Sequence, residues 1–275
     1  MTEVSKARSK GLAAAVANVW RCLYGLFLRQ VLVTDMAENT NNPLIDKLFS
    51  VGAHFGYGKS RRHPSTSRYI FGSKGGVELF DLEHTASLLG EALEFLKGVA
   101  AKRQPILFVG SKAEARGALE RVAKRLSEPY VSGRWIGGTL TNWSEVKKRL
   151  ARLGELSVMR EKGELAKFTK LERLLIDREI TDLELMFGGL RGLEKTPGAL
   201  VIVDPRREHT AVTEAAKMHI PIVALMNSDC DAKHILHPIP ANDASRHTIE
   251  LIMEEVAKAV DAGHTAAAPA PEIAL

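Results

Sequence analysis

The segment Arg134-Trp135-Ile136-Gly137-Gly138-Thr139-Leu140-Thr141-Asn142-Trp143 has the residue types to hold an anion. Its glycines open backbone conformations that a Cβ obstructs. Asn142 followed by Glu145 reads as a capping box, which predicts a helix start. The free N–H groups of that start, beside Arg134, Lys147 and Lys148, suit a phosphate. The same spacing fits a sharp turn held by two packed tryptophans, and helix starts without a bound anion are the commoner case. Residues 56–76 are a second candidate. They contain no acid, whereas Lys59, Arg61, Arg62, Arg68 and Lys74 are basic and His63 can join them. Such a run suits a polyanion, or it is a solvated loop balanced by acids elsewhere. His54, among glycines and aromatics, can stack on a base or donate to phosphate; a hydrogen-bonded packing histidine fits equally well.

Other chemistry finds less support. The turn Gly110-Ser111-Lys112 follows an apolar run, as in nucleotide-binding folds. It has neither the paired glycines of a Walker A loop nor the second and third glycines of a dinucleotide fingerprint. Asp204, Glu208, His209 and Asp231 fall near the ends of two predicted strands, where α/β proteins place sites. Oxygens and one imidazole can bind a divalent ion, but Asp204 as the cap of the following helix is the favoured reading. Cys230 stands between Asp229 and Asp231, which raise a thiol pKa and make it a poor nucleophile. There is no Gly-x-Ser-x-Gly elbow. No catalytic constellation, metal site or cofactor motif emerges, so the reading is not an enzyme.

The elements that must position these residues alternate. A short helix is predicted over 43–51, with Asn42 as cap and Pro43 at its first position. A hairpin follows: 69–71 and 77–80 flank Gly72-Ser73-Lys74-Gly75-Gly76. Helices over 81–101, 112–126 and 209–218 alternate with apolar strands at 105–110, 199–204 and 221–226, the continuous runs of a buried parallel sheet. Tyr130-Val131 reads as a further short strand. From Trp143 the apolar steps Val146, Leu150 and Leu153 form a coiled-coil seam. Lys162-Gly163 breaks it, and a second helix over 169–187 carries Leu171, Leu174, Leu175, Leu183 and Met186, giving an antiparallel helical hairpin. A last helix, capped by Asn242 or Asp243, is expected to end near Val260.

The fold class is therefore α/β, with a mostly parallel sheet interrupted by a hairpin. The expected division is an extension over 1–40, an α/β domain from 41–141 and 190–262, a coiled-coil hairpin at 142–189 and a disordered tail over 263–275. The chain has 275 residues, 45% hydrophobic and 26% charged, with a formal charge of +5. That composition is ordinary for a soluble protein, so the local distribution of charge matters more than its sum. Cys22 and Cys230 form neither a metal spacing nor a disulfide framework, which fits a reducing compartment. The apolar stretch 11–28 contains Arg21 and is a poor membrane span. Residues 1–35, alanine-rich and basic, leave three readings open: an organellar presequence, a bacterial tail, or a start at Met36.

The stretches Gly52-Ala53-His54-Phe55-Gly56, Tyr69-Ile70-Phe71-Gly72, 134–143, 199–204 and Ile220-Pro221-Ile222-Val223-Ala224, in this order and at this spacing, resemble the bacterial-type small-subunit ribosomal protein S two (S2) family. The resemblance spans about 43–262. It implies a flavodoxin-like domain with an inserted antiparallel coiled-coil hairpin. It also implies a structural, non-enzymatic constituent of the small ribosomal subunit that binds small-subunit rRNA and supports assembly and translation. Neighbouring ribosomal proteins would be partners, including, in many bacteria, ribosomal protein S one (S1). Carried onto this chain, the rRNA-facing positions are His54, Lys59, Arg61, Arg62, Arg68 and Lys74, with Arg134, Thr141 and Asn142 at the hairpin base and Tyr57 able to stack on an unpaired base. The chain departs from the family pattern at 226–232, where Met226-Asn227-Ser228-Asp229-Cys230-Asp231 is followed by alanine in place of proline. The match and the lack of an arginine- and serine-rich leader favour a cytoplasmic bacterial ribosome over an organellar one.

Overall fold

The computed structural model describes residues 43–266. The readings for 1–40 and for Cys22 lie outside the described residues. The chain separates into the units Met1–Asp46 and Lys47–Leu275. Of the first, the described residues open helix α1 (Pro43–Ser50), and the account below concerns the second.

Two sheets carry the second unit. β1 (Phe55–Gly58), β2 (Ile70–Lys74) and β3 (Val77–Phe80) form an antiparallel sheet in the order β1-β3-β2. The predicted hairpin is its β2–β3 pair; β1 was not expected. The larger sheet has five parallel strands in the order β5-β4-β6-β7-β8: Tyr130–Val131, Ile106–Val109, Ala199–Val203, Ile222–Met226 and His237–Pro240. Every residue of β4, β6 and β7 is buried, because helices cover both faces. β8 was hidden in the sequence by Pro238 and Pro240. Proline cannot donate to a ladder, and it is tolerated here because β8 is an edge strand.

Helices α2 (Leu82–Ala101), α3 (Ala113–Leu126) and α7 (Arg246–Ala266) pack together, with α2 also against β8. Asp81 caps α2, accepting from the N–H groups of Glu83 and His84. Alternate strand residues point oppositely. Leu107, Val109, Leu200, Ile202, Ile222, Ala224 and Met226 meet a second core built by α6 (His209–Lys217) and the base of the hairpin. α7 corrects two expectations. Asp243 is fully buried and holds Asn227, so it cannot cap; Ser245 Oγ instead accepts from Thr248 N. The helix also continues past Val260 to Ala266, with Gly263 buried against Lys97 and Ala100 of α2.

α4 (Trp143–Glu161) and α5 (Lys170–Phe187) form the helical hairpin, turned by Gly163 and a 3-10 segment, Glu164–Lys167. Thr169 and Glu172 make a reciprocal capping box on α5. The buried stripe of α5 is Ile180, Leu183 and Phe187, which meets Val146, Leu153 and Leu156. Of the five residues expected on that stripe only Leu183 is in the core; Leu171, Leu174 and Leu175 are exposed and Met186 is 37% exposed. The stripe runs through 180, 183 and 187 at the helical period, and the upstream leucines lie off it.

Candidate nucleic-acid interface

The turn that opens the hairpin already contains an anion. Glu214, on α6 and 5% exposed, directs its carboxylate into the turn. Oε1 accepts from Trp135 Nε1 at 3.1 Å and Gly138 N at 2.8 Å; Oε2 accepts from Leu140 N at 3.0 Å and from Thr141 N and Oγ1 at 3.3 Å each. Burial pushes this carboxyl up, but the five donors outweigh burial and hold it below the ordinary carboxylate value. Gly138 has φ +93°, a conformation that L side chains rarely adopt, and this lets its N–H face the carboxylate. The expected capping box is absent: Asn142 makes no side-chain cap, and Glu145 pairs with Lys148 at 2.6 Å. The donors read from sequence as a phosphate site therefore serve a side chain of the protein itself.

The strand-end corner shows the complementary arrangement. Lys112 places its ammonium 2.9 Å from Asp243 Oδ2 and 3.5 Å from Asp204 Oδ2, and donates to Tyr57 Oη at 3.3 Å. Burial pulls the Lys112 pKa down, but the two carboxylates more than reverse this and it lies above the usual lysine value. Ser111 N donates to Glu208 Oε1 at 3.1 Å, as does Ser111 Oγ. So the Gly110-Ser111-Lys112 turn has its donors occupied from within. Gly110 is needed for packing, since a Cβ there would lie 3.0 Å from Leu119 Cδ1 of α3. Asp204, at φ 62°, accepts from Arg207 N at 3.2 Å within the turn, so it does not cap the following helix as favoured from sequence; that helix begins at His209 after Glu208, which makes no side-chain cap. Among the described residues Asp204, His209 and Asp231 do not gather as a ligand set. Cys230 is fully buried, and burial followed by Asp204 and Asp229 pushes its thiol up, in keeping with an inert side chain.

The basic stretch behaves differently. It folds as two 3-10 turns, Lys59–Arg61 and Pro64–Tyr69, leading into β2. Lys59, Arg61, Arg62, Arg68 and Lys74 are all exposed. Among the described residues only Arg62 of these has an acidic partner, Glu78 at 3.3 Å. Glu78 is buried and its other oxygen has no hydrogen-bond partner, so Arg62 is the counter-charge of a buried acid. Arg61 and Arg68 lie over the Tyr57 and Tyr69 rings at 5.7 and 4.7 Å, which fixes their stems without neutralising them. The loop is anchored by Ser228: its carbonyl accepts from His63 N and Thr66 Oγ1, and its hydroxyl from Tyr57 N.

The remaining predicted positions divide. Arg134, Thr141 and Asn142 are all exposed at the hairpin base, and Thr141 also donates to Glu214. His54 is stacked on Phe49 at 4.7 Å and tilted against Phe55 at 4.1 Å, and its Nδ1 is buried without a partner. Burial lowers its pKa, which favours the neutral ring. The sequence reading missed Glu214, whose signal was faint: a charged residue on the same helical face as the buried Ala211 and Ala215. It also missed Arg116, alone in a helix, and the pair Arg206-Arg207 in the turn after β6.

Comparison with known proteins adds an independent line. The family description "Ribosomal protein S2" matches residues 48–263. The small ribosomal subunit protein uS2 of Mycolicibacterium vanbaalenii is 41% identical over 235 residues, covering 86% of this chain and 85% of that protein. The uS2 proteins of Picosynechococcus sp. and Chloroflexus aggregans are each 40% identical, over 79% and 80% of this chain and 85% and 92% of theirs.

Proposed function

The chain belongs to the ribosomal protein S2 family and is a structural, non-enzymatic constituent of the small ribosomal subunit, and from that premise we propose that its acid-free loop is a principal rRNA contact. One observation carries the proposal: Lys59, Arg61, Arg68 and Lys74 are exposed, lie on one short sheet and its loop, and have no acidic partner among the described residues. Unpaired surface cations release counterions when they meet phosphates, which makes binding strong at low salt and weak at high salt. Arg134 and Asn142 would extend the contact to the hairpin base. Arg62 and Thr141 are exposed but tied to Glu78 and Glu214, and would hold the contact surface in place, with the packed His54 beneath it. Tyr57 lies under Arg61 and Lys112, which favours a role in shaping the loop.

As a member of the small subunit the protein associates with small-subunit rRNA and neighbouring ribosomal proteins. We extend this to S1 as a partner and to a cytoplasmic ribosome, both on the family resemblance; among the described residues no helix is long and apolar enough to cross a membrane. The working division is an α/β body, 41–141 with 190–262, and a projecting hairpin, 142–189. Sedimentation of a tagged chain through a sucrose gradient tests the function. Co-migration with small subunits at low salt, lost as salt rises, is expected. A free-protein peak in both conditions would overturn the rRNA reading.

A further inference from the structure

Beyond the loop, a cleft of about 420 Å³ opens where the parallel strands end. Arg116 from α3, Arg134 from the hairpin base and Arg207 from the turn after β6 line it together. All three are exposed. None has an acidic partner among the described residues. Glu208, the acid in the wall, is 3% exposed and accepts from Ser111, so the cleft's nearest carboxylate is turned into the fold. Arg207 Nε donates to Ser111 Oγ at 3.0 Å, which orients that guanidinium from behind. His209 lines this cleft and also a neighbouring one of about 610 Å³ that is bordered by Arg61 and Arg62 of the basic loop. The second cleft's other cations are largely matched: Arg206 lies 2.5 Å from Asp229, and His63 4.0 Å from Asp231. Unmatched charge therefore lies in two adjoining clefts, Arg61 in one and the three arginines in the other.

We propose that the arginine cleft at the strand ends is a second phosphate-binding site, taking the phosphodiester backbone of RNA as a continuation of the path begun on the basic loop. The proposal rests on the rRNA reading above and joins Arg134, named from sequence, to Arg116 and Arg207, which sequence reasoning did not find. The chemistry favours phosphate over a carboxylate ligand such as an acidic peptide, because three forked guanidinium groups in one open cleft match the several oxygens of a phosphodiester. RNA is favoured over a free nucleotide because the cleft adjoins the loop's own cleft, His209 lining both, so a polyanion can reach the two sets of cations together.

The test compares the full chain with Arg116→Gln/Arg207→Gln and with Lys59→Gln/Arg61→Gln/Arg68→Gln, by fluorescence anisotropy on a labelled small-subunit rRNA fragment across a salt series. Both arginines are exposed, and a thermal melt of each variant confirms the fold. The cleft variant should bind ten- to a hundredfold more weakly, with the salt slope reduced by about 1.4 to 2 on losing two phosphate contacts. Arg116→Lys/Arg207→Lys should recover part of the affinity and most of the slope. Unchanged affinity and slope in the cleft variant, with loss in the loop variant, would overturn the cleft assignment and leave the rRNA reading standing. Absence of salt-dependent binding by the unsubstituted chain would overturn both. A separate arm titrates adenosine monophosphate. Saturable binding that the cleft variant loses, with its RNA affinity intact, would assign the phosphate chemistry to a small ligand and overturn the RNA assignment.

Discussion

The hairpin base and the basic loop use charge in opposite ways. At the hairpin base one carboxylate, Glu214, collects five donors and almost vanishes from the surface. In the loop, Lys59, Arg61, Arg68 and Lys74 stay exposed with no acidic partner among the described residues. A donor set and an anion that belong to the same chain make a joint, whereas cations left without counter-charges make a binding surface. The Lys112 corner belongs with the first region, its ammonium set between Asp204 and Asp243. The contrast teaches that glycine-rich turns with nearby basic residues are poor evidence for a bound anion until the fold's own acids have been placed.

Substitutions can break this contrast, and the largest effect should come at Glu214. Glu214→Gln keeps the volume but turns an amide N–H₂ toward backbone donors, and should lower stability by about 3–5 kcal/mol, read from the urea midpoint. Its pH signature sharpens the point. Because the folded carboxyl lies below its ordinary value, its contribution is present above the unfolded value of 4.5 and is lost as pH falls through the folded one. The parent should lose stability over that acid range, and the variant should lack this component. Equal acid profiles would show that Glu214 is not the joint.

Lys112→Met should be next, at about 3 kcal/mol near pH 7, since it leaves two carboxylates facing each other in a buried corner. Burial already pushes Asp243 upward, and without the ammonium the folded state would take up a proton more readily than the unfolded chain. Stability of the variant should therefore rise as pH falls through the raised folded value of Asp243, opposite in sign to the Glu214 effect. A pH-independent deficit would argue against the corner as described.

The loop should respond in the other currency. Replacing Lys59, Arg61, Arg68 and Lys74 by glutamine should leave the melting curve within about 0.5 kcal/mol of the parent. It should weaken rRNA binding ten- to a hundredfold at moderate salt. A large loss of stability would place these residues with the joints. The smallest effect is expected at the exposed leucines of α5. Leu171→Ser and Leu175→Ser should shift stability by less than about 0.5 kcal/mol, whereas Leu153→Ala, fully buried, should cost about 2–5 kcal/mol.

What could be read from sequence follows the range of the interactions. β4, β6 and β7 were legible as apolar runs because each is buried on both faces. The α2 cap and the Thr169 box were local too, though only the helix limits were read from them. The exposed members of the basic loop were legible because a gap in acids is visible along the chain. The partner of Arg62 was not, since Glu78 approaches by strand pairing rather than by sequence. β8 failed because proline is strong local evidence against a strand, and edge position, a property of the whole sheet, overrules it. The α5 stripe failed because leucine content was read without its phase. The cleft arginines come from three separated segments, so the local pattern marked Arg134 at the glycine turn but neither Arg116 nor Arg207.

The Glu214 joint has a consequence in time. Trp135 precedes its acceptor by 79 residues, so the turn and both hairpin helices are made before the carboxylate that fixes them. At ordinary elongation rates the delay is about 4–16 s. During that interval the donors of the turn are without the carboxylate that they bind in the folded chain. The last-made third of the sequence thus supplies the carboxylate that holds the turn in the middle third.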